Sequence, residues 1–233
     1  MTATLQSIEA TRRRFLTTGA SAFALTLAGC AGRDPGVARR LANKQARERS
    51  WAYYRQLYSS VQDGGFTIPT VNLQQVEPKY FRREVANETG FPPGTLVVNT
   101  KTFYLYWTQP YGTAMRYGVG LGRAGFSWSG RGVIQYKRQW PTWTPPAEMI
   151  ERQPELEKFS AENGGQPPGI TNPLGARALY IFQDGADTLY RVHGSPEAFS
   201  IGKAVSSGCV RLLNQDIIDL YERVPDGSPI YVI

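Results

Sequence analysis

The sequence predicts a mainly β domain, built as a sandwich or barrel of mixed sheets, with one short C-terminal helix and a proline-rich, lid-like loop. Three observations support this prediction. Several segments alternate β-branched or aromatic residues with polar ones, as half-buried strands do. The chain has 24 glycines and 16 prolines in 233 residues, which favours turns over long helices. Within the β-rich part of the chain, a single stretch near the C-terminus has helical periodicity.

Residues 1–30 are predicted to be an export signal. The stretch TRRRFL (Thr11–Leu16) resembles the twin-arginine export motif of bacteria, and the apolar segment after it is too short to span a bilayer. Leu27–Cys30 resembles a lipoprotein lipobox, in which Cys30 would be lipidated; the alternative is an ordinary cleavage site with an incidental cysteine. We therefore expect a periplasmic lipoprotein held at a membrane through its N-terminal lipid. Ala31 replaces the aspartate that retains some lipoproteins at the inner membrane, which favours the outer membrane.

Residues 31–93 are predicted to be a tether, a helix and an extended lead-in to the main domain. The stretch from residue 39 to residue 61 places apolar side chains at loosely helical spacing, and Gly64 and Gly65 interrupt it. Prolines mark the extended segment that follows, which ends at Pro92-Pro93-Gly94.

The main domain is predicted to span residues 94–233 and to consist largely of strands. The stretch GTLVVNTKTFYLYWT has the pattern of a hairpin, and AMRYGVGLGR and GVIQYKRQWP are two further strand segments. ARALYIF and DTLYRVHG are predicted strands joined by a turn at residues 184–186, and SPIYVI closes the chain as a strand.

Two other parts of the main domain have different patterns. Residues 141–169 contain six prolines and are predicted to form a long irregular loop, which in a compact domain is typical of a functional lid. Trp140 and Trp143, at its start, could belong to the lid or to the core. The stretch NQDIIDLYERV places its apolar residues on one helical face, with Asn214 as the expected N-cap.

The formal net charge of +7 favours an acidic partner, which could be nucleic acid, anionic lipid or an anionic polymer. The chain has no stripe of lysines and arginines interleaved with aromatic residues, so a nucleic-acid partner is not expected. Removal of residues 1–30 would leave the chain basic.

The chemistry of the chain centres on its second cysteine and its one histidine. Once Cys30 is lipidated or removed, Cys209 has no disulfide partner, and a lone thiol in an oxidising compartment suggests a reactive role. A thiol nucleophile needs a base, which in this chain can only be His193; a lone histidine taken by itself is more often structural. We expect a nearby imidazole to lower the pKa of the thiol toward neutrality.

The residues around Cys209 would complete such a site. Gly208 would let the backbone approach a substrate closely, and the N–H groups of Gly208 and Cys209 could bind an oxyanion. Arg211 could hold a substrate carboxylate by a two-point contact.

The segment HGSPEAFSIGKAVSSGCVRLLNQDIIDLYERV resembles the active-site motif of the L,D-transpeptidase catalytic domain, the YkuD family. His193-Gly194 and the block from Ser206 to Arg211 fit this motif without a gap, and the resemblance covers roughly residues 94–233. Many members have a histidine between the serine and the glycine of the block, where this chain has Ser207, so His193 is the sole imidazole.

The resemblance implies that Cys209 is the nucleophile and His193 its base, and that Arg211 contacts the substrate. The residues implied to shape the pocket are Ser206, Ser207, Gly208 and Gly194. The implied donor is a peptidoglycan tetrapeptide stem: the sulfur attacks the carbonyl of meso-diaminopimelate, D-alanine leaves, and an amine resolves the thioester.

The amine of a second stem would give a 3→3 cross-link, whereas that of an outer-membrane protein or lipoprotein would attach the protein to the wall. No cofactor or metal is implied, and one histidine is too few for a typical zinc site. The alternatives are an L,D-carboxypeptidase that uses water on the same bond and a non-catalytic wall-binding lipoprotein. An unrelated cysteine peptidase is less favoured, because His193 precedes Cys209 in the chain.

Overall fold

The computed structural model describes residues 35–48, 50–122, 130–206 and 208–233. The predicted export signal, with Cys30, and the pocket residue Ser207 lie outside the described residues. The helices are α1 (Pro35–Glu48), α2 (Trp51–Leu57), α3 (Ala147–Arg152) and α4 (Asn214–Arg223). Over the described ranges, no helix is both long enough and apolar enough to cross a membrane.

The described strands, in chain order, are β1 (Val61–Asp63), β2 (Phe66–Ile68), β3 (Arg83–Ala86), β4 (Leu96–Asn99), β5 (Tyr104–Gln109), β6 (Thr113–Gly118), β7 (Leu121–Gly122), β8 (Gly130–Gln139), β9 (Arg177–Gln183), β10 (Ala186–Ser195), β11 (Ala204–Ser206), β12 (Val210–Leu213) and β13 (Pro229–Val232). Nine of them form one mixed sheet in the order β12-β10-β9-β8-β13-β4-β5-β6-β3. The pairs β10–β12 and β4–β13 are parallel, and the other pairs of this sheet are antiparallel.

The prediction of a mainly β fold with mixed sheets is confirmed, but the barrel alternative is wrong. Strands β12 and β3 lie at opposite edges of the sheet and do not pair with each other. The β12 edge is met instead by an isolated bridge between Gly120 and Arg211, next to the small parallel pair β7–β11. The β3 edge strand comes from the segment that the sequence presents as an extended lead-in.

Both predicted hairpins are present. Strands β4 and β5 pair antiparallel, and so do β9 and β10. The turn of the second hairpin has positive φ angles at Asp184 (50°) and Gly185 (80°). Positive φ at both central residues is what a type I′ turn requires, and the twist of that turn matches that of the strands.

The core lies on one face of β9, β10 and β12. Leu179, Val192 and Leu212 alternate with residues of the other face and are fully buried, and they pack against Ile217 and Leu220 of α4. Fully burying one such side chain contributes about 1.5–3 kcal/mol. Helix α4 is thereby fixed beneath the three strands that carry the motif residues.

The expected N-cap of α4 is wrong. Helix α4 begins at Asn214 itself, and the residue before it, Leu213, makes no side-chain cap. The Oδ1 of Asn214 instead accepts a hydrogen bond of 2.9 Å from the backbone N–H of Ala176. That buried N–H would otherwise lack a partner, and an unpaired buried donor costs more than an uncapped helix end.

The loop of residues 141–169 is more ordered than its prolines suggest. It contains α3 and a 3-10 segment, Pro154–Phe159, and its two arms are joined by backbone hydrogen bonds between Trp143 and Gln166. Trp140 packs in the core, where its indole N–H donates to Asp63 at 2.7 Å.

Candidate functional site

Cys209 lies where the chain passes from β11 into β12. Strand β11 is held by parallel pairing to β7, with Ser206 opposite Gly122. Strand β12 is held by parallel pairing to β10, with Val210 opposite Val192 and Arg211 opposite His193. Cys209 is partly exposed and forms no disulfide. Strand pairing therefore fixes the chain on both sides of Cys209, and the residue keeps some exposure although its sulfur is desolvated.

The register of β10 and β12 brings Cys209 into the neighbourhood of His193. Val192 and Val210 point into the core, so their neighbours Arg191, His193 and Arg211 point to the opposite face. Cys209 lies one residue before β12, and its sulfur accepts a hydrogen bond from the backbone N–H of Arg191. From a strand spacing of about 4.8 Å and a rise of about 3.3 Å per residue, the Cα atoms of Cys209 and His193 are roughly 8 Å apart. Side chains on such a diagonal can meet above the sheet.

The ring of His193 is oriented by the backbone of the next residue. Its Nδ1 lies 2.6 Å from the carbonyl oxygen of Gly194, and the side chain is 4% exposed. A carbonyl oxygen can only accept, so Nδ1 must carry the proton and Nε2 keeps its lone pair. The neutral ring thus presents a proton acceptor on its far side.

Burial also keeps this imidazole neutral. Desolvation lowers the pKa of His193 to about 4; the Gly194 hydrogen bond opposes the shift, and the charges of Arg211 and Arg191 add to it. At neutral pH the ring is therefore an uncharged base.

The expectation that the imidazole lowers the pKa of Cys209 is wrong. Burial of the sulfur raises the pKa of this thiol above its ordinary value, although the backbone N–H of Arg191 and the two guanidinium charges oppose the shift. A neutral imidazole supplies no positive charge that could offset the desolvation of a thiolate. At neutral pH the two groups are therefore a thiol and an uncharged imidazole.

Gly208 and Gly194, the two glycines of the motif, are each required for a different structural reason. Gly208 is buried and has φ of 137°, a region that side chains with a Cβ adopt only under strain. A Cβ on Gly194 would lie 2.3 Å from Oδ1 of Asn214 and 2.9 Å from Cγ2 of Ile217, so Gly194 is required for close packing of β10 on α4. The Cα of Gly194 thus faces α4, whereas its carbonyl holds the imidazole.

Arg211 is paired within the protein. Its Nη1 donates to Oε2 of Glu197 at 2.6 Å, and the Glu197 side chain is 48% exposed. A substrate carboxylate at Arg211 would therefore share the guanidinium with Glu197 or displace that carboxylate.

Arg191 is the site residue that the sequence analysis missed. It lies two residues before His193, and its charge acts on both His193 and Cys209. Its guanidinium makes two hydrogen bonds to Asp187, of 2.7 and 2.8 Å. The period of two along DTLYRVHG already places Arg191 and His193 on one face, and that signal could have found it.

These features define a class of protein: a mainly β domain that presents a thiol and a neutral imidazole at one end of its sheet. The model of the YkuD family, described as the L,D-transpeptidase catalytic domain, matches residues 93–232. The chain therefore belongs to the L,D-transpeptidase catalytic domain family.

Two curated relatives come from Escherichia coli K12. The probable L,D-transpeptidase YbiS is 37% identical over 145 residues, which cover 59% of this chain and 44% of YbiS. The probable L,D-transpeptidase ErfK/SrfK is 34% identical, with shares of 59% and 43%. The chain thus spans about half the length of the curated relatives it matches.

A solved structure from Brucella melitensis, described as a probable carnitine operon oxidoreductase, is 41% identical and covers 66% of this chain and 94% of that one, with a TM-score of 0.47.

Proposed function

We propose that the protein is a peptidoglycan L,D-transpeptidase in which Cys209 is the nucleophile and His193 the base. The proposal is carried by the β10–β12 register, which sets His193 opposite Arg211, two residues after Cys209, and by the Nδ1–Gly194 hydrogen bond that orients the imidazole. Membership of the family supports the reaction class.

The acylation step follows from the resting protonation states. As the sulfur attacks the diaminopimelate carbonyl, Nε2 of His193 takes the thiol proton. Backbone N–H groups beside Gly208 would stabilise the oxyanion of the tetrahedral intermediate, with Ser206, Ser207 and Gly194 shaping the pocket. When the intermediate collapses, the C–N bond to D-alanine breaks, and the imidazolium gives its proton to the leaving amine. The product is a thioester on Cys209.

The second step, in which an amine resolves the thioester, uses the same two side chains with the proton transfers in the opposite order. An acceptor amine attacks the thioester carbonyl and gives a proton to Nε2, and the imidazolium returns it to the departing thiolate. A stem amine gives a 3→3 cross-link; an amine on an outer-membrane protein or lipoprotein gives attachment to the wall. Because His193 is the sole histidine of the chain, it serves both steps.

The proposed setting is the periplasm, with Cys30 lipidated and Arg211 available to a substrate carboxylate. The basic charge of the chain suits an anionic wall polymer. Incorporation of a palmitate analogue into wild type but not Cys30→Ala would support the anchor; a wild-type protein that is never labelled would exclude it.

The test of the reaction uses the full chain and purified disaccharide tetrapeptides, with products analysed by mass spectrometry. We expect cross-linked dimers and free D-alanine from wild type and from the control Cys30→Ala, and neither from Cys209→Ala. Shortened monomers without dimers would indicate the carboxypeptidase instead. Identical products from wild type and Cys209→Ala would overturn the enzyme assignment in favour of a wall-binding protein.

A further inference from the structure

The inference concerns a surface next to Cys209, and it rests on the proposed function. Strand pairing sets Arg191 opposite Tyr180 and Tyr180 opposite Tyr136, in a row that runs across three strands away from Cys209. The next row contains His193, Ala178 and Arg138, again directly opposite one another. We call Tyr136, Arg138, Tyr180 and Arg191 the Tyr-Arg surface.

The side chains of the Tyr-Arg surface stack on one another. The rings of Tyr136 and Tyr180 are parallel within 19°, with centroids 4.3 Å apart. The guanidinium of Arg191 lies 4.3 Å from the Tyr180 centroid, and that of Arg138 lies 5.3 Å from the Tyr136 centroid. Both rings remain partly exposed. The stacked side chains therefore form an ordered aromatic surface that a ligand can reach.

The two guanidinium groups of this surface differ in charge balance. Arg191 is neutralised by its two hydrogen bonds to Asp187. Arg138 is exposed, and no carboxylate of the described part of the chain pairs with it. Stacking on Tyr136 holds the Arg138 guanidinium in place, so that little side-chain entropy would be lost on binding an anion. Among the described residues, Arg138 is thus an oriented positive charge without a carboxylate partner.

The distance from the catalytic pair fits the donor stem. Arg138 is two strands from His193, so their Cα atoms are roughly 10 Å apart at about 4.8 Å per strand. An extended peptide covers about 3.3–3.6 Å per residue, and the arginine side chain itself reaches several ångströms. The D-isoglutamyl residue that precedes diaminopimelate carries a free α-carboxylate at about this distance from the attacked carbonyl.

We propose that Arg138, held over the ring of Tyr136, binds the D-isoglutamyl α-carboxylate of the donor stem. The contact is made away from the reacting atoms, so Arg138 determines donor specificity rather than catalysis. The contact stabilises the bound substrate and the transition state equally. Substitution of Arg138 should therefore raise KM and leave kcat almost unaltered.

The test compares two disaccharide tetrapeptide donors, one with this carboxylate free and one with it amidated. Wild type should prefer the free carboxylate by about tenfold in kcat/KM, which corresponds to about 1.4 kcal/mol. Arg138→Gln should lose that preference through KM and should match wild type on the amidated donor. Arg138→Lys, which keeps the charge but not the planar stack, should lie between the two.

The matched control is Arg131→Gln. Arg131 is exposed on the same strand, seven residues or roughly 23 Å away, and its substitution removes the same charge. It should leave both donors unaffected. An equal loss on both donors in Arg138→Gln, or the same loss in Arg131→Gln, would overturn the inference. If wild type uses both donors equally, the inference about Arg138 is wrong while the proposed function stands. If neither donor releases D-alanine in a Cys209-dependent way, both the inference and the proposed function are wrong.

Discussion

The two faces of β9, β10 and β12 are made from the same strands but differ in what they bury. On the α4 side, Leu179, Val192 and Leu212 are fully buried among apolar side chains. On the other side, alternate residues of the same strands place Arg191 and His193 beside Arg211, and the charges of both arginines also act on Cys209. Burial stabilises the fold on the first face, whereas on the second it changes protonation. Substitutions on the two faces should therefore separate stability from activity.

The largest effect is expected for His193→Gln. Loss of the base should reduce kcat for D-alanine release by about 10²–10⁴-fold. The same change should improve acid stability, because the pKa of His193 is about 4 in the folded protein and about 6.5 in the unfolded chain. The unfolded chain binds the extra proton between these values, so wild type loses stability as the pH falls from 6.5 toward 4.

Urea unfolding of both proteins at pH 7 and pH 4 measures this difference. The loss between the two pH values should be smaller in His193→Gln by about 3 kcal/mol. Equal losses would mean that the imidazole is not desolvated. Burial on the face that carries His193 would then not change protonation.

The core face is tested by Leu212→Ala. Leu212 is fully buried in β12, three residues after Cys209, and its truncation should lower the free energy of unfolding by about 2–5 kcal/mol. The kcat of the protein that remains folded should change little. Denaturant unfolding gives the free energy of unfolding, and activity normalised by active-site titration gives kcat. A loss of kcat comparable to that in His193→Gln would show that the two faces are not independent.

The pH dependence of kcat/KM sharpens the comparison. With a base of pKa about 4, activity should remain nearly complete at pH 5, where an imidazole of pKa 6.5 would be about thirtyfold less available. Because burial raises the pKa of Cys209, alkylation of the free thiol by iodoacetamide should stay slow at neutral pH. An acid limb centred near pH 6.5, or rapid alkylation at pH 6, would instead indicate a preformed thiolate–imidazolium pair.

The smallest effect is expected for Gly208→Ala. A Cβ at φ of 137° should cost about 1–3 kcal/mol in unfolding free energy. Gly169→Ala is the control, because a Cβ there would meet no atom within 4 Å and its φ is not positive. Thermal unfolding compares the two variants, and equal melting temperatures would show that the loop before Cys209 relaxes to accept a side chain.

The strands of the main domain were predictable because they obey a local rule. Alternation and turn residues give the hairpins and β13, and the helical face of α4 follows from its apolar spacing. That Cys209 acts with His193 was expected on chemical grounds, and the β10–β12 register sets Arg211, two residues after Cys209, opposite His193. Their catalytic roles stay a proposal.

What the sequence did not reveal depends on contacts between distant segments. Asn214 leaves its cap position because of Ala176, 38 residues earlier, and the edge strand β3 pairs with β6 across 27 residues or more. The raised pKa of the Cys209 thiol reflects desolvation by the folded chain, which no local pattern records. The row from Arg191 to Tyr136 likewise exists only through the pairing of three strands.

Gly194 packs closely against Asn214 and Ile217 of α4, the helix that directly follows β12. This contact fixes the register of the parallel strands β10 and β12. A slip of one position would turn every side chain of β12 over and send the sulfur inward. Keeping this register does not make the connecting segment tolerant of change: Ser200 and Ile201 are buried and Glu197 binds Arg211, so an insertion at residues 196–203 should still lower the free energy of unfolding.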